Sequence, residues 1–241
     1  MKRLDFNKGW EVRCLTTDSA FKSISVPHDA MISEPRIAES LGEGNIGFYA
    51  GYDYEYRKAV DVPKEDQGKT QLLEFEGVYH NAEVYINGEK AAERPYGYSN
   101  FYVNASDYLR YGENNEILVK ACNSDQPNSR WYSGTGIYRP VWLWEAGDAH
   151  IPVKGVKIRT LDYVTRRISV TVKTSVPGKV RVKILKGERN DIERTDETIF
   201  HLHRLKFLNL LSLLGIEIDC NGGSDKEQSI DHPNPQVAFE E

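Results

Sequence analysis

The sequence predicts an all-β chain: a jelly-roll sandwich over residues 1–150, the start of an immunoglobulin-like sandwich over 151–187, and an atypical tail over 188–241. Three observations predict it. Short runs rich in β-branched and aromatic residues recur as far as residue 144, punctuated by turn residues. No strong helical periodicity lies between them, which favours a β-sandwich or jelly roll over a βαβ fold. After Pro152 apolar and polar residues alternate strictly, the pattern of half-buried antiparallel strands.

The expected strands of the first domain are Tyr54–Val62, Gln71–Glu76, Glu83–Ile86, Glu116–Cys122 and Val141–Trp144. Asn87-Gly88 directly follows Val84-Tyr85-Ile86, and that dipeptide accepts the positive φ values of a tight hairpin turn. Pro63, Pro95 and Pro152 fall at strand boundaries, where a missing N–H donor costs least. Beyond Pro152, Arg167–Lys173 and Lys179–Ile184 alternate, with Ser175-Val176-Pro177-Gly178 as the turn between them. The texture then changes. Thr195-Asp196-Glu197-Thr198 is a helix-capping sequence, and apolar residues recur at 199, 202, 205, 208 and 211. This spacing predicts a helix over 196–214, stopped by Gly215, with a wide apolar face that needs a partner. Cys220–Ser229 and the Pro233/Pro235 pair read as loop or tail.

Length and charge bound the function. A chain of 241 residues is long enough for one large domain or two smaller ones. Its net charge of −5 argues against a general nucleic-acid binder. The charge is uneven: net −7 over 1–150, +9 over 151–187 and −7 over 188–241. The basic segment belongs to alternating strands, so its cations read as a solvated sheet face. No aromatic residues interleave with the cations of Arg167–Lys173 and Lys179–Ile184 to stack bases. No apolar run approaches the roughly 18 residues of a membrane helix, and no signal peptide follows Met1-Lys2-Arg3-Leu4-Asp5. Cys14, Cys122 and Cys220 are odd in number and far apart, which points to a reduced, cytoplasmic setting. No metal or cofactor is expected. His201-Leu202-His203 lacks a third ligand at a recognised spacing, and Gly42-Glu43-Gly44 lacks the context of a phosphate loop.

A set of motifs carries a resemblance. Phe6-Asn7-Lys8-Gly9-Trp10, Val26-Pro27-His28-Asp29, Gly47-Phe48-Tyr49 and Tyr56-Arg57-Lys58 come in order. Gly77 to Gly88 follows, then Asn123-Ser124-Asp125 and Arg130 to Leu143 (RWYSGTGIYRPVWL). Together they resemble the opening domain of glycoside hydrolase family 2, which contains β-galactosidases, β-glucuronidases and β-mannosidases. The likeness covers about residues 6–186. It implies a galactose-binding-like jelly roll followed by the start of a sandwich domain. It also implies a carbohydrate partner. Family members are retaining glycosidases with two glutamates on a (β/α)8 barrel, their carboxyls about 5–5.5 Å apart. Such a barrel takes about 250 residues, far more than follow residue 187. No catalytic residue is therefore expected in this chain; the two readings of the missing barrel are a separate chain that supplies it and a truncated or frame-shifted product. Asn115-Glu116 resembles an acid/base motif only superficially, since it enters a predicted strand.

Four residues are the expected sugar contacts. Asp125 leaves a strand into a polar loop, and in the family's β-galactosidases an aspartate of the matching loop reaches the sugar. Its carboxylate suits two adjacent hydroxyls; the bland alternative is an Asx turn. Asn45 lies where the family places a sugar-contacting asparagine, or is a left-handed turn residue. Arg130 offers a guanidinium donor at the rim. Trp131 offers an apolar plate to a sugar face, or is a core tryptophan. His28, Asp29 and Arg139 read as structural, with Arg139 paired to an acid. Tyr49, Tyr52, Tyr54 and Tyr56 read as one sheet face. The expected function is the sugar-binding N-terminal part of a retaining β-glycosidase, inactive alone. The alternatives are a stand-alone carbohydrate-binding module and a truncated, non-functional fragment.

Overall fold

A computed structural model describes residues 1–162, 167–186, 189–196 and 214–221. The chain divides into two compact units, Lys2–Glu145 and the residues from Ala146 on. The first unit carries β1 (Lys2–Asp5), β2 (Trp10–Cys14), β3 (Lys22–Ile24), β4 (Tyr54–Val62) and β5 (Thr70–Phe75). These are followed by β6 (Ala82–Ile86), β7 (Glu89–Arg94), β8 (Phe101–Asn104), β9 (Glu113–Ala121) and β10 (Val141–Ala146). Only short 3-10 turns interrupt them, at Met31–Ser33, Glu43–Ile46 and Lys64–Asp66.

The strands form a six-stranded sheet, β3-β2-β4-β9-β6-β7, and a four-stranded sheet, β1-β10-β5-β8. Alternation along each strand decides what lies between them. In β2, Trp10, Val12 and Cys14 are buried while Glu11 and Arg13 are not. Trp10, Tyr56, Val84, Ile117 and Val119 of the larger sheet join Leu73, Phe75, Val103 and Val141 of the smaller one in a single core. Full burial of a large apolar side chain such as Trp10 or Phe75 contributes about 1.5–3 kcal/mol each. The fold is a β-sandwich, as the periodicity predicts. The five strands expected from sequence all form, with ends moved by up to three residues.

Asn87 and Gly88 take φ values of 53° and 85° and turn β6 into β7. The four edge strands β1, β3, β7 and β8 escape the sequence reading, as does β2. Edge strands meet solvent along one side and need little apolar sequence: β7 reads Glu-Lys-Ala-Ala-Glu-Arg. The expected face of four tyrosines is smaller than predicted. Only Tyr54 and Tyr56 lie in β4, and Tyr49 packs its ring 5.6 Å from Tyr132 instead. Asn115 is 1 % exposed, and its amide bonds the backbone of Arg110 and Glu113. That is a turn-closing role.

The register positions the loops. Tyr54 pairs with Ala121 and Glu83 with Lys120. The return of loop 25–53 into β4 and loops 76–81 and 122–140 therefore lie at one end of the sandwich. Loop 95–100 joins them, because Ala82 pairs with Arg94. Val62 pairs with Glu113 at the opposite end.

In the second unit β11 (Val156–Asp162) pairs with β12 (Arg167–Val172). β13 (Lys179–Lys186) lies between β14 (Arg189–Asp196) and β15 (Leu214–Asn221). Val170, Val172 and Val180 are buried, while Lys157, Arg159, Lys173 and Lys179 are exposed. The three-stranded sheet crosses the domain boundary expected at 187, and Asp196 and Leu214 lie in strands, not at the ends of a helix. The sequence Ile216-Glu217-Ile218-Asp219-Cys220 alternates and suits β15. The rest of the expected helix, 197–213, the His201/His203 pair and the tail beyond 221 lie outside the described residues.

Candidate functional site

The four clustered loops owe their shape to buried polar side chains. Asn123 is fully buried at the end of β9. Its Nδ2 donates to Thr135 Oγ1 at 2.6 Å and to the Gly134 carbonyl at 3.2 Å. Its Oδ1 accepts from Gln126 Nε2 at 2.9 Å and Asn128 Nδ2 at 2.8 Å. One side chain thus ties both ends of loop 122–135. Asp29 holds the same loop from outside: Oδ1 accepts from the Thr135 and Met31 N–H groups, and Oδ2 from the Tyr132 hydroxyl at 2.6 Å. Asp53 caps Ser124 through both its N–H and its hydroxyl.

Two glycines make these approaches feasible. Gly134 has φ +69°, and a Cβ there would lie 2.9 Å from Asp29 Oδ2. Gly136 has φ +109°, and a Cβ there would lie 1.9 Å from the Tyr56 hydroxyl. No larger residue fits either position. Gly136 also bridges Tyr79 through two backbone hydrogen bonds, at 2.8 and 3.0 Å.

Asp125 stands on this braced loop with its side chain exposed. Among the described residues its carboxylate accepts no hydrogen bond; only its backbone carbonyl does, from Asn128 Nδ2 at 2.7 Å. The Asx turn is therefore not formed. Arg130 is likewise exposed and unpaired among the described residues. Trp131 is 58 % exposed, not a core residue, and its Nε1 donates to the Tyr98 hydroxyl at 2.8 Å. Asp125, Arg130 and Trp131 thus share one rigidly held loop. Asn45 is exposed in the 3-10 turn Glu43–Ile46 of the adjoining loop. Its left-handed neighbours are Glu43, Gly47 and Phe48, while Asn45 itself is right-handed. The two loops touch where Gly42 approaches the Gln126 amide and where Tyr49 meets Tyr132. No acid pairs with Arg139 among the described residues; its guanidinium lies 5.4 Å from the Tyr138 ring centre.

The sequence reading missed an aromatic and imidazole group beside Asp125. Tyr98 lies 5.1 Å from Tyr79 and 5.7 Å from the exposed Tyr96, centroid to centroid. Tyr79 donates to Asn128 Oδ1, and His80 Nε2 lies 3.0 Å from Asn128 Nδ2. The Asn128 amide has two hydrogens for three acceptors: Asn123 Oδ1, the Asp125 carbonyl and His80 Nε2. Burial pushes His80 below its ordinary value, against a smaller upward pull from Asp125, and pushes the Tyr79 phenol up to about 12. The Pro95-Tyr96-Gly97-Tyr98 cluster was the available signal, an aromatic-rich turn. His28 and Glu34 serve the scaffold. His28 Nδ1 meets the Tyr56 hydroxyl at 2.9 Å. Glu34 accepts from the Gly51 and Tyr52 N–H groups and the Tyr54 hydroxyl, and burial raises its pKa.

A β-sandwich that gathers exposed polar and aromatic side chains on braced loops at one end is the construction of a ligand-binding β domain. Comparison with known proteins makes this specific. The chain belongs to the glycosyl hydrolase 2 galactose-binding domain-like family, whose profile matches residues 13–136. It is 38 % identical over 168 residues to a β-galactosidase of Bacteroides ovatus, covering 66 % of this chain and 20 % of that protein. It is 36 % identical over 111 residues to a β-glucuronidase of Bacteroides fragilis, covering 44 % and 16 %. A crystal structure of a β-glycosidase from Bacteroides vulgatus superposes with a TM-score of 0.72 at 29 % identity, covering 83 % of this chain and 28 % of that one. The chain spans about a fifth of the length of the curated relatives it matches.

Proposed function

We propose that this chain is the sugar-binding part of a family 2 retaining β-glycosidase and that loop 122–135 forms one wall of its pocket. The observation that carries the reading is the Asp125 carboxylate, exposed and without a hydrogen-bond partner among the described residues on a loop braced by Asn123, Asp29 and Asp53. A charge held this way accepts two adjacent hydroxyls of a terminal β-linked sugar with little reorganisation. Trp131, fixed by Tyr98, offers its ring to an apolar sugar face. Arg130 and Asn45 supply donors around it. The acid/base and nucleophile glutamates come from a barrel outside the residues described here, on a separate chain or a continuation of this one.

The purified chain then hydrolyses no chromogenic β-galactoside. It binds β-galactosides weakly, because one wall lacks the enclosure a ligand site needs. Calorimetry with methyl β-galactoside tests this. We expect a millimolar Kd that Asp125→Asn weakens at least five-fold. An unchanged Kd in Asp125→Asn overturns the assignment of that carboxylate. A micromolar Kd identifies a self-sufficient binding module instead, and turnover by the isolated chain overturns the division of labour.

A further inference from the structure

Loop 95–100 holds an aromatic side chain out to solvent at the same end of the sandwich. Tyr96 is 62 % exposed, yet the backbone around it is pinned. The Pro95 carbonyl accepts from the Asn81 N–H at 3.1 Å, and the Gly97 carbonyl from the Tyr138 hydroxyl at 2.9 Å. The Ser99 hydroxyl accepts from the Arg94 guanidinium at 2.6 and 3.1 Å. Gly97 lies so close to Tyr79 that a Cβ there would overlap its ring. Folding gains little from an exposed ring, so a braced turn that presents one points to a partner.

Tyr98 joins Tyr96 to Trp131, with ring centres 5.7 and 6.4 Å away. The Tyr98 hydroxyl and Trp131 Nε1 engage each other. What Tyr96 and Trp131 offer is therefore ring surface, bordered by groups without a hydrogen bond among the described residues: the Tyr96 hydroxyl and the Arg130 guanidinium. A purely aliphatic or aromatic partner would strip water from both groups and pair with neither. A sugar ring packs its C–H bonds on an aromatic face and turns its hydroxyls to the edge groups. We propose that Tyr96 is the platform of a second sugar subsite, so that the ligand is a β-linked disaccharide or a longer glycan. The proposal rests on the reading of Asp125 and Trp131 as the wall for the terminal sugar. Loop 122–135 holds that ring, loop 95–100 holds the next one on Tyr96, and the Tyr98–Trp131 hydrogen bond fixes the spacing between the two loops.

Calorimetry on the intact chain compares methyl β-galactoside with the methyl glycosides of the β-linked galactose disaccharides, one for each linkage position. We expect at least one disaccharide to bind about five-fold more tightly than the monosaccharide. Tyr96→Ala brings that ratio below about two, whereas Tyr96→Phe, which keeps the ring, holds it above about three. Asp125→Asn weakens both sugars by the same factor and leaves the ratio as it was. A ratio near one for every linkage, a ratio that survives Tyr96→Ala, or an equal gain for phenyl β-galactoside, whose aglycone is aromatic, overturns the second subsite and leaves the Asp125 wall standing. Sugar binding indifferent to Asp125→Asn overturns the wall instead, and no binding of any of these sugars overturns both.

Discussion

Removal of Asn123 exposes how the candidate pocket is built. In Asn123→Ala, Thr135 Oγ1 and the Gly134 carbonyl lose the donor that reaches them at 2.6 and 3.2 Å, inside a fully buried site. Each orphaned group costs about 1–3 kcal/mol. Gln126 Nε2 and Asn128 Nδ2 keep other acceptors, the Asn123 carbonyl and the Asp125 carbonyl, and lose only about 0.5 kcal/mol each. The expected loss is about 4 kcal/mol. For a unit of this size it lowers Tm by about 10 °C. Urea denaturation followed by tryptophan fluorescence measures it. Asn123→Asp is the sharper control. It preserves shape and the Oδ1 that accepts from Gln126 and Asn128, yet turns a buried negative oxygen toward the Gly134 carbonyl, so it destabilises at least as much. A loss below about 1 kcal/mol in Asn123→Ala, or a stable Asn123→Asp, refutes the claim that this side chain braces the loop.

Three further outcomes follow from the same geometry. Gly136→Ala places a Cβ 1.9 Å from the Tyr56 hydroxyl at φ +109°, and denaturation should show a loss of more than about 3 kcal/mol. Asp125→Asn, which breaks no hydrogen bond of the scaffold, should leave stability within about 0.5 kcal/mol while weakening sugar binding; calorimetry and denaturation together separate the two effects. His80 and His28 are held below the ordinary histidine value of 6.5, chiefly by burial, so the unfolded chain takes up protons that the fold refuses. Stability is therefore full above about pH 6.5 and falls as the pH drops below it. NMR titration should place His80 below 6.5, and His80→Gln should flatten the slope of stability against pH; an equal slope in that variant refutes the link.

What the sequence made legible follows burial. Tyr54–Val62 and Glu116–Cys122 lie in the middle of the larger sheet, so their apolar content announces them, and their register alone places loop 122–140 beside loop 25–53. Edge strands such as β7 carry no such signal. The site divides the same way. Asp125, Arg130 and Trp131 could be singled out because a motif brackets them. That Trp131 is exposed and tethered to Tyr98 depends on a contact across 33 residues, which no local pattern encodes.

The bracing residues were harder to read than the contacts they hold. Asp29, Asp53 and Asn123 look like ordinary turn residues in the sequence, yet between them they bond Ser124, Tyr132, Gly134 and Thr135. Asp29 acts 106 positions away, at Thr135. A carboxylate that satisfies backbone N–H groups so distant fixes a loop that hydrophobic packing cannot, because the loop has little apolar surface to bury. Such anchoring leaves Asp125 uncommitted. The adjacent carboxylates spend their oxygens on the scaffold, whereas both oxygens of Asp125 stay unbonded among the described residues. The scaffold's fully bonded acids and the loop's unbonded one are thus two sides of a single arrangement.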